Sequence, residues 1–361
     1  MIATKGYRPA PLRTGYEQVL AHRVDDTFAK VAEMDGKVVD LSDDHLTVEY
    51  TDGTKVAIET GKRFGVSAGS VYPNEIKTTF KVGEQVKKGD VLAYNEGFFE
   101  PTLFNKRQVT WKAGVIARTA ILEAGFTLED SSAITPRLAE LLTTRTTKVK
   151  TIIVKFDQSI RDLVKAGDKV DLDTILCSIE DSVTANNKLF DEDSLSSLRL
   201  LSAMTPRAKV VGTVEKIEVY YHGDIEDMSE SLQELATGGD RDRKRKCRKL
   251  GTPVVTGSVD QSLRIDGSGL DLGCVAIQVY ITSDVGTGIG DKAVFGNQMK
   301  TVIGRVLEGV HETESGKPFD AIFGAKSIQD RIVWSPMVIG TTNTLMRVIC
   351  EKAADIYFAK K

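Results

Sequence analysis

Gly290-Asp291-Lys292-Ala293-Val294-Phe295-Gly296-Asn297-Gln298-Met299-Lys300 is the stretch on which the reading of the chain turns. Two lysines stand eight residues apart with Gly296-Asn297 between them. Glycine takes positive φ freely and asparagine tolerates it, so this dipeptide predicts a tight turn. The apolar run from Val275 to Ile281 reads as a strand. A hairpin centred near Gly296-Asn297 brings Lys292 and Lys300 roughly opposite each other. Two ammonium groups so placed either share an anion, for which a phosphate is the usual candidate, or both point into solvent.

The 361 residues allow two or three domains, and 41% hydrophobic residues suffice for packed cores. The formal net charge is −3, so any nucleic-acid contact must come from local basic patches. Cys177, Cys247, Cys274 and Cys350 form no CxxC pair, which argues against a zinc site or a disulfide framework and fits a reducing compartment. His22, His45, His222 and His311 lie far apart, against a histidine metal site. The first residues lack the apolar core of a signal peptide. No apolar run approaches the roughly 20 residues that span a bilayer. A soluble, intracellular protein is expected.

Residues 8–17, with Pro9, Pro11 and Gly15, predict an extended or turning segment. From Gly36 the pattern becomes β: Lys37–Leu41 and His45–Tyr50 read as strands, and Asp52-Gly53 as a hairpin signal before Lys55–Ile58. Val82–Ala93 and Lys165–Leu176 share a glycine turn, a valine, a polar turn and a short apolar strand, read as structural corners. Gly114–Leu122 reads as a buried strand leading to Glu129-Asp130. Such acids bind Mg²⁺ or hold a lysine, or else sit in a solvated loop or at a helix N-terminus. Thr135-Pro136 opens a helix over 137–142, with Thr135 as N-cap. A polar helix is expected over 184–205 and a strand over Val210–Tyr221. Met228–Ala236 predicts a short helix stopped by Gly238-Gly239. The run Arg241-Asp242-Arg243-Lys244-Arg245-Lys246-Cys247-Arg248-Lys249 has seven basic residues in nine. It reads as a nucleic-acid contact or as a mobile solvated loop, and without an interleaved aromatic it does not suggest base stacking. Gly251–Gly269 reads as loop or short strands, Thr301–Leu307 as a strand, and Thr342–Phe358 as a helix.

In this order the pieces resemble the C-terminal half of the catalytic β subunit of multisubunit DNA-dependent RNA polymerases. Pro11–Glu17 followed by Gly36-Lys37-Val38-Val39 is similar to the family's "P-L-x-x-T-G-x-E … G-x-V". Val82–Leu92 is similar to "V-x-x-G-x-x-V-x-x-G-x-x-L", and Gly125–Ser131 to "G-Y/F-x-x-E-D-S/A". Val279–Lys300 resembles "V-Y-I … V-G-D-K-x-x-x-R-H-G-x-K-G" and keeps the lysine spacing of eight. Arg331–Glu351 resembles "D-I-V-x-N-P-x-G-x-x-x-R-M-N-x-G-Q-x-x-E". Five ordered matches span nearly the whole chain.

The resemblance implies an α+β, β-rich fold. It places a hybrid-binding region and the first part of a double-psi β-barrel at 1–145, and a flap-like insertion at 146–270. The second part of the barrel, with Lys292 and Lys300, falls at 271–341, and a C-terminal helix at 342–361. It implies that the two lysines contact phosphates of the RNA 3′ end and the incoming nucleotide. Glu129 and Asp130 are then near the second Mg²⁺ and the triphosphate, with the main Mg²⁺ held by the N-A-D-F-D-G-D loop of a partner β′-like chain. Arg241, Arg243, Lys244, Arg245, Lys246, Arg248 and Lys249 fall in or near the flap, which borders exiting RNA and meets promoter-specificity factors. Further partners implied are an N-terminal β-like chain, DNA template, RNA transcript and NTPs.

Two departures stand out. Val294-Phe295 replaces the family's Arg-His, and the triphosphate-touching arginine has no clear counterpart, since Thr342-Asn343 lies roughly there and Arg347 is offset. A shortened chain without the family's N-terminal half is what split polymerase subunits of large bacteriophages look like. That source implies the host cytoplasm or the virion. The isolated chain is expected to be inactive. The competing readings are a non-catalytic β-like scaffold or nucleic-acid-binding paralogue, and an unrelated β-barrel protein.

Overall fold

Among the described residues the three sheets of more than two strands organise the protein, and the largest is built around two long strands, Thr144–Lys155 and Cys274–Val285. They run antiparallel and pair along their whole length, from Thr144 opposite Val285 to Lys155 opposite Cys274. A computed structural model describes residues 3–67, 69–103, 105–181, 204–262, 264–265 and 267–359. The helix expected over 184–205 falls almost wholly outside them.

The central sheet has eight strands. Gly212–His222 flanks Cys274–Val285 on one side, and Ser70–Lys77 flanks Thr144–Lys155 on the other. The alternating Val275, Ile277, Val279 and Ile281 put one face into the main core with Ile152, Val154, Val214, Val219 and Leu232. This sheet takes strands from all three of the segments 1–145, 146–270 and 271–341.

A four-stranded sheet holds the early hairpins Gly36–Leu41, His45–Tyr50 and Lys55–Glu59, as their alternation predicts. Val38, Leu46, Val48 and Ile58 form its core. The two look-alike corners use the same turn chemistry. The backbone N–H of Lys81 donates to the Glu84 carboxylate (3.0 Å), that of Lys87 to Asp90 (3.0 Å) and that of Lys165 to Asp168 (2.7 Å). A side chain that closes its own turn needs no ligand to explain it.

The third sheet has five strands in the order Thr119–Ile121, Ala321–Phe323, Ser131–Ile134, Met299–Val306, Lys292–Phe295. Its pairing is mixed. Ser131–Ile134 runs parallel to Met299–Val306 but antiparallel to Ala321–Phe323. The fold is therefore α+β and β-rich. No helix among the described residues is long and apolar enough to cross a membrane. All four cysteines are free.

Three sequence expectations need correction. Gly114–Leu122 is two short pieces, Gly114–Val115 and Thr119–Ile121, with Ile116, Ile121 and Leu122 exposed. Thr119–Ile121 is an edge strand paired only to Ala321–Phe323, so its apolar residues lack cover. Gly238-Gly239 does not stop a helix, which runs unbroken from Glu230 to Leu250. Two mid-helix glycines cost about 1 kcal/mol each, and burial of Leu232 and Ala236 offsets that. The last helix starts at Ser335, ahead of the expected Thr342. Thr135 and Pro136 do what was expected: the Thr135 hydroxyl accepts from the Leu138 N–H (3.3 Å), and Pro136 opens the helix Pro136–Leu141.

Candidate functional site

The lysine stretch folds as a hairpin, Lys292–Phe295 against Met299–Val306. Its sequence alternates, and so does its burial: Met299, Thr301 and Ile303 are buried, while Lys292, Val294, Lys300 and Val302 are exposed. Phe295 turns inward and meets Phe323 at 5.3 Å between ring centroids. The turn takes three residues, with Gly296 and Gln298 at positive φ. A Cβ on Gly296 would sit 3.2 Å from Pro336, so the last helix also packs close against this turn.

The longer turn sets the register. Lys292 lies opposite Val302, and Lys300 opposite Val294. The lysines are thus diagonal neighbours, offset by two positions from a direct pair. A two-residue slip preserves the face, so both still project from one exposed surface. Diagonal neighbours in a sheet lie about 7 Å apart. At that distance two ammonium groups repel by only about 0.6 kcal/mol in water. The free protein tolerates the pair, and an anion between them gains from both.

The structure brings Asp130 to this hairpin. The chain at Glu129-Asp130 is left-handed twice in succession, with φ of 47° and 61°. Left-handed non-glycine backbone costs roughly 1–2 kcal/mol per residue and persists only where surroundings hold it. The holding groups are clear. The Asp130 N–H donates to the buried Ser327 hydroxyl (3.1 Å), and the Val302 N–H donates to the Asp130 carbonyl (2.9 Å). Arg331, at the end of the helix Ala325–Arg331, does the rest. Its guanidinium pairs with the Asp130 carboxylate at 2.7 Å. It also donates to the carbonyl of Lys300 (2.7 Å) and to that of Gln298. One cation therefore ties the acidic turn to the lysine strand. In the sequence Arg331 stands only as the first residue of the Arg331–Glu351 motif; its role depends on a contact 201 residues away and has no local signal.

Glu129 is exposed beside it. The two acids stand as a pair: among the described residues no group of three or more His, Cys, Asp or Glu side chains converges. Asp130 carries a guanidinium instead.

The basic residues 241–249 belong to another part of the protein, the helix Glu230–Leu250 packed against the central sheet. They are neither loop nor extended chain. The helix is pinned by Asp240, which is 5% exposed and accepts from the Tyr221 hydroxyl (2.7 Å) and the Gly257 N–H (2.6 Å). Arg243 lies 3.7 Å from Asp240 and stacks 4.6 Å over Tyr220. Arg245 pairs with Asp242 (2.9 Å), Lys246 with Glu59, and Lys249 with Asp44 (3.5 Å). The Ser42 hydroxyl and the His45 ring, with Lys249 behind them, hold the Asp44 carboxyl well below the usual carboxylate range. Burial, and donation to Asp240, push the Tyr221 hydroxyl up to about 12.

Two sets of charged residues therefore sit on separate elements: the hairpin with Lys292, Lys300, Asp130 and Arg331 on the five-stranded sheet, and the basic helix on the eight-stranded one. Set against known protein families and against curated proteins, the chain matches no family model and no curated protein.

Proposed function

We propose that this chain is a subunit of a multisubunit DNA-dependent RNA polymerase, standing in for the C-terminal half of the β subunit. In this reading the five-stranded mixed sheet belongs to a double-psi β-barrel. Lys292 and Lys300 contact phosphates of the RNA 3′ end and the incoming nucleotide. The observation that carries the proposal is that both lysines project from one exposed face of one hairpin. The resemblance asks both lysines to reach phosphates, which a shared exposed face allows.

The lysines act by charge. An ammonium about 4 Å from a phosphate oxygen gains about 4 kcal/mol gross at an effective dielectric near 20, before desolvation. Nucleotidyl transfer moves negative charge among phosphate oxygens, so fixed cations beside them favour the transition state. Arg331 positions Lys300 by holding its carbonyl and keeps Asp130 neutralised beside it. Mg²⁺ and the aspartates that hold it are assigned to a β′-like partner chain.

A tagged copy purified from its natural source should bring down a chain bearing N-A-D-F-D-G-D and a chain resembling the first half of β. In the assembled enzyme Lys292→Ala should slow elongation by about 100-fold, the scale for removing one fixed charge-stabilising group, while assembly persists. Normal elongation by that variant, or the absence of such partners, sinks the proposal. The ion pair of Asp130 with Arg331 favours one second reading, a non-catalytic β-like scaffold. That reading predicts the same partners with no effect of Lys292→Ala.

A further inference from the structure

We infer that Arg241, Lys244 and Arg248, along one side of the helix Glu230–Leu250 with Arg241 and Arg248 exposed and Lys244 half-buried, form a binding row for the phosphate backbone of a nucleic-acid strand. The starting point is what the fold leaves over. Of the seven basic residues at 241–249, four are matched within the protein: Arg243 to Asp240, Arg245 to Asp242, Lys246 to Glu59 and Lys249 to Asp44. Arg241, Lys244 and Arg248 have no acidic side chain within 4 Å among the described residues. Those three stand at i, i+3 and i+7, which on an α-helix is one face. They span about 10.5 Å along the axis at 1.5 Å per residue.

A row of charges at a helix end can simply complement the helix dipole. That accounts for Arg248 and Lys249 in the last turn. It does not account for Arg241 or Lys244, which lie more than a turn from Leu250, where the effect has faded. The row is also held in place beforehand. Leu232, Ala236 and Asp240 are buried behind it, and Lys246 and Lys249 tie the same helix to the neighbouring β-sheet. Binding therefore costs little ordering of the helix. A nucleic-acid strand offers about one phosphate per 3.4 Å of axis, so a row of this length meets two or three. No aromatic residue lies between 241 and 249, so the contact is to backbone and not to bases.

This inference stands apart from the polymerase proposal, because it needs neither Lys292 nor Lys300. The test uses the full chain and fluorescence anisotropy with labelled 20-mers of single-stranded DNA, single-stranded RNA and duplex DNA. The unsubstituted chain should bind at low salt, and affinity should fall linearly with log salt. The triple variant Arg241→Ala, Lys244→Ala, Arg248→Ala should bind at least about tenfold more weakly, with the salt slope reduced by about 2–3. A control removing the exposed Lys81, Lys87 and Lys88 subtracts equal charge elsewhere and should change little. In a Lys292→Ala, Lys300→Ala background the triple substitution should still lower the slope by about 2–3, so the two sites are read separately. Which of the three probes binds tightest identifies the strand type. An unchanged triple variant, an equal loss in the control, loss only in the hairpin variant, or equal binding of poly-glutamate would each overturn the inference.

Discussion

The helix Glu230–Leu250 has eleven charged residues among 21, and the helix Ser335–Ala359 has four among 25. Composition alone would bury the second and expose the first. The structure does close to the reverse. The charged helix buries Leu232, Ala236 and Asp240 and spends four of its cations on ion pairs. The apolar helix buries only Pro336, and Leu345, Ile349 and Ile356 are half exposed or more. It is tied to the body near its start. The Leu12 N–H donates to Asn343 (2.9 Å), and Ser335 lies against the hairpin turn at Asn297 (3.3 Å). An apolar stripe shows which face of a helix wants cover; it does not show that the cover is in the same chain.

Asp240 anchors the charged helix. Asp240→Ala strands the Tyr221 hydroxyl, the Gly257 N–H and the half-buried Arg243. Removing one partner of a buried charged network costs about 3–5 kcal/mol. Urea unfolding should show a correspondingly lower midpoint, and an unchanged midpoint would mean that the helix is not anchored there.

Arg331→Ala acts at the root of the apolar helix. It removes the bridge from Asp130 to the carbonyls of Gln298 and Lys300 and should cost about 2 kcal/mol. The same unfolding assay reads it. A neutral result would leave the two left-handed residues at 129–130 without the support assigned to them.

A pH scan sharpens the anchor of the charged helix. The Tyr221 pKa is raised in the folded state, to about 12 from an ordinary 10.0. Its stabilisation is therefore complete below pH 10 and is lost as pH rises through about 12. Tyr221→Phe should flatten this alkaline loss relative to the unsubstituted protein. An identical alkaline profile in both would place the loss elsewhere.

The smallest effect belongs to the exposed stripe. Leu345→Glu and Ile349→Glu should each change the stability of the isolated chain by no more than about 0.5 kcal/mol. A loss of several kcal/mol would show that this face is covered in solution.

Much of the local structure was legible. Gly296-Asn297 announced a turn, Thr135-Pro136 a capped helix, and the alternation at 36–59 a set of hairpins. These signals are local: φ preference, a capping hydroxyl and a two-residue period act within a few residues. The hairpin register was less legible: a two-residue turn at Gly296-Asn297 would set Lys300 opposite Ala293, and the third turn residue, Gln298, moves it opposite Val294. The basic run misled for a related reason. Gly238-Gly239 and seven cations argue against a helix only while Glu59, Asp44 and Tyr221 are out of view.

By itself the sequence determined that the chain is β-rich, that Lys292 and Lys300 share a hairpin, and that charge is concentrated at 241–249. Periodicity, turn chemistry and composition are properties of neighbouring residues, so one dimension carries them. Only the tertiary structure decided that Arg331 joins Asp130 to the lysine strand and which four of the seven cations are neutralised. Those outcomes depend on pairs up to 205 residues apart, brought together by sheet packing that no local pattern encodes.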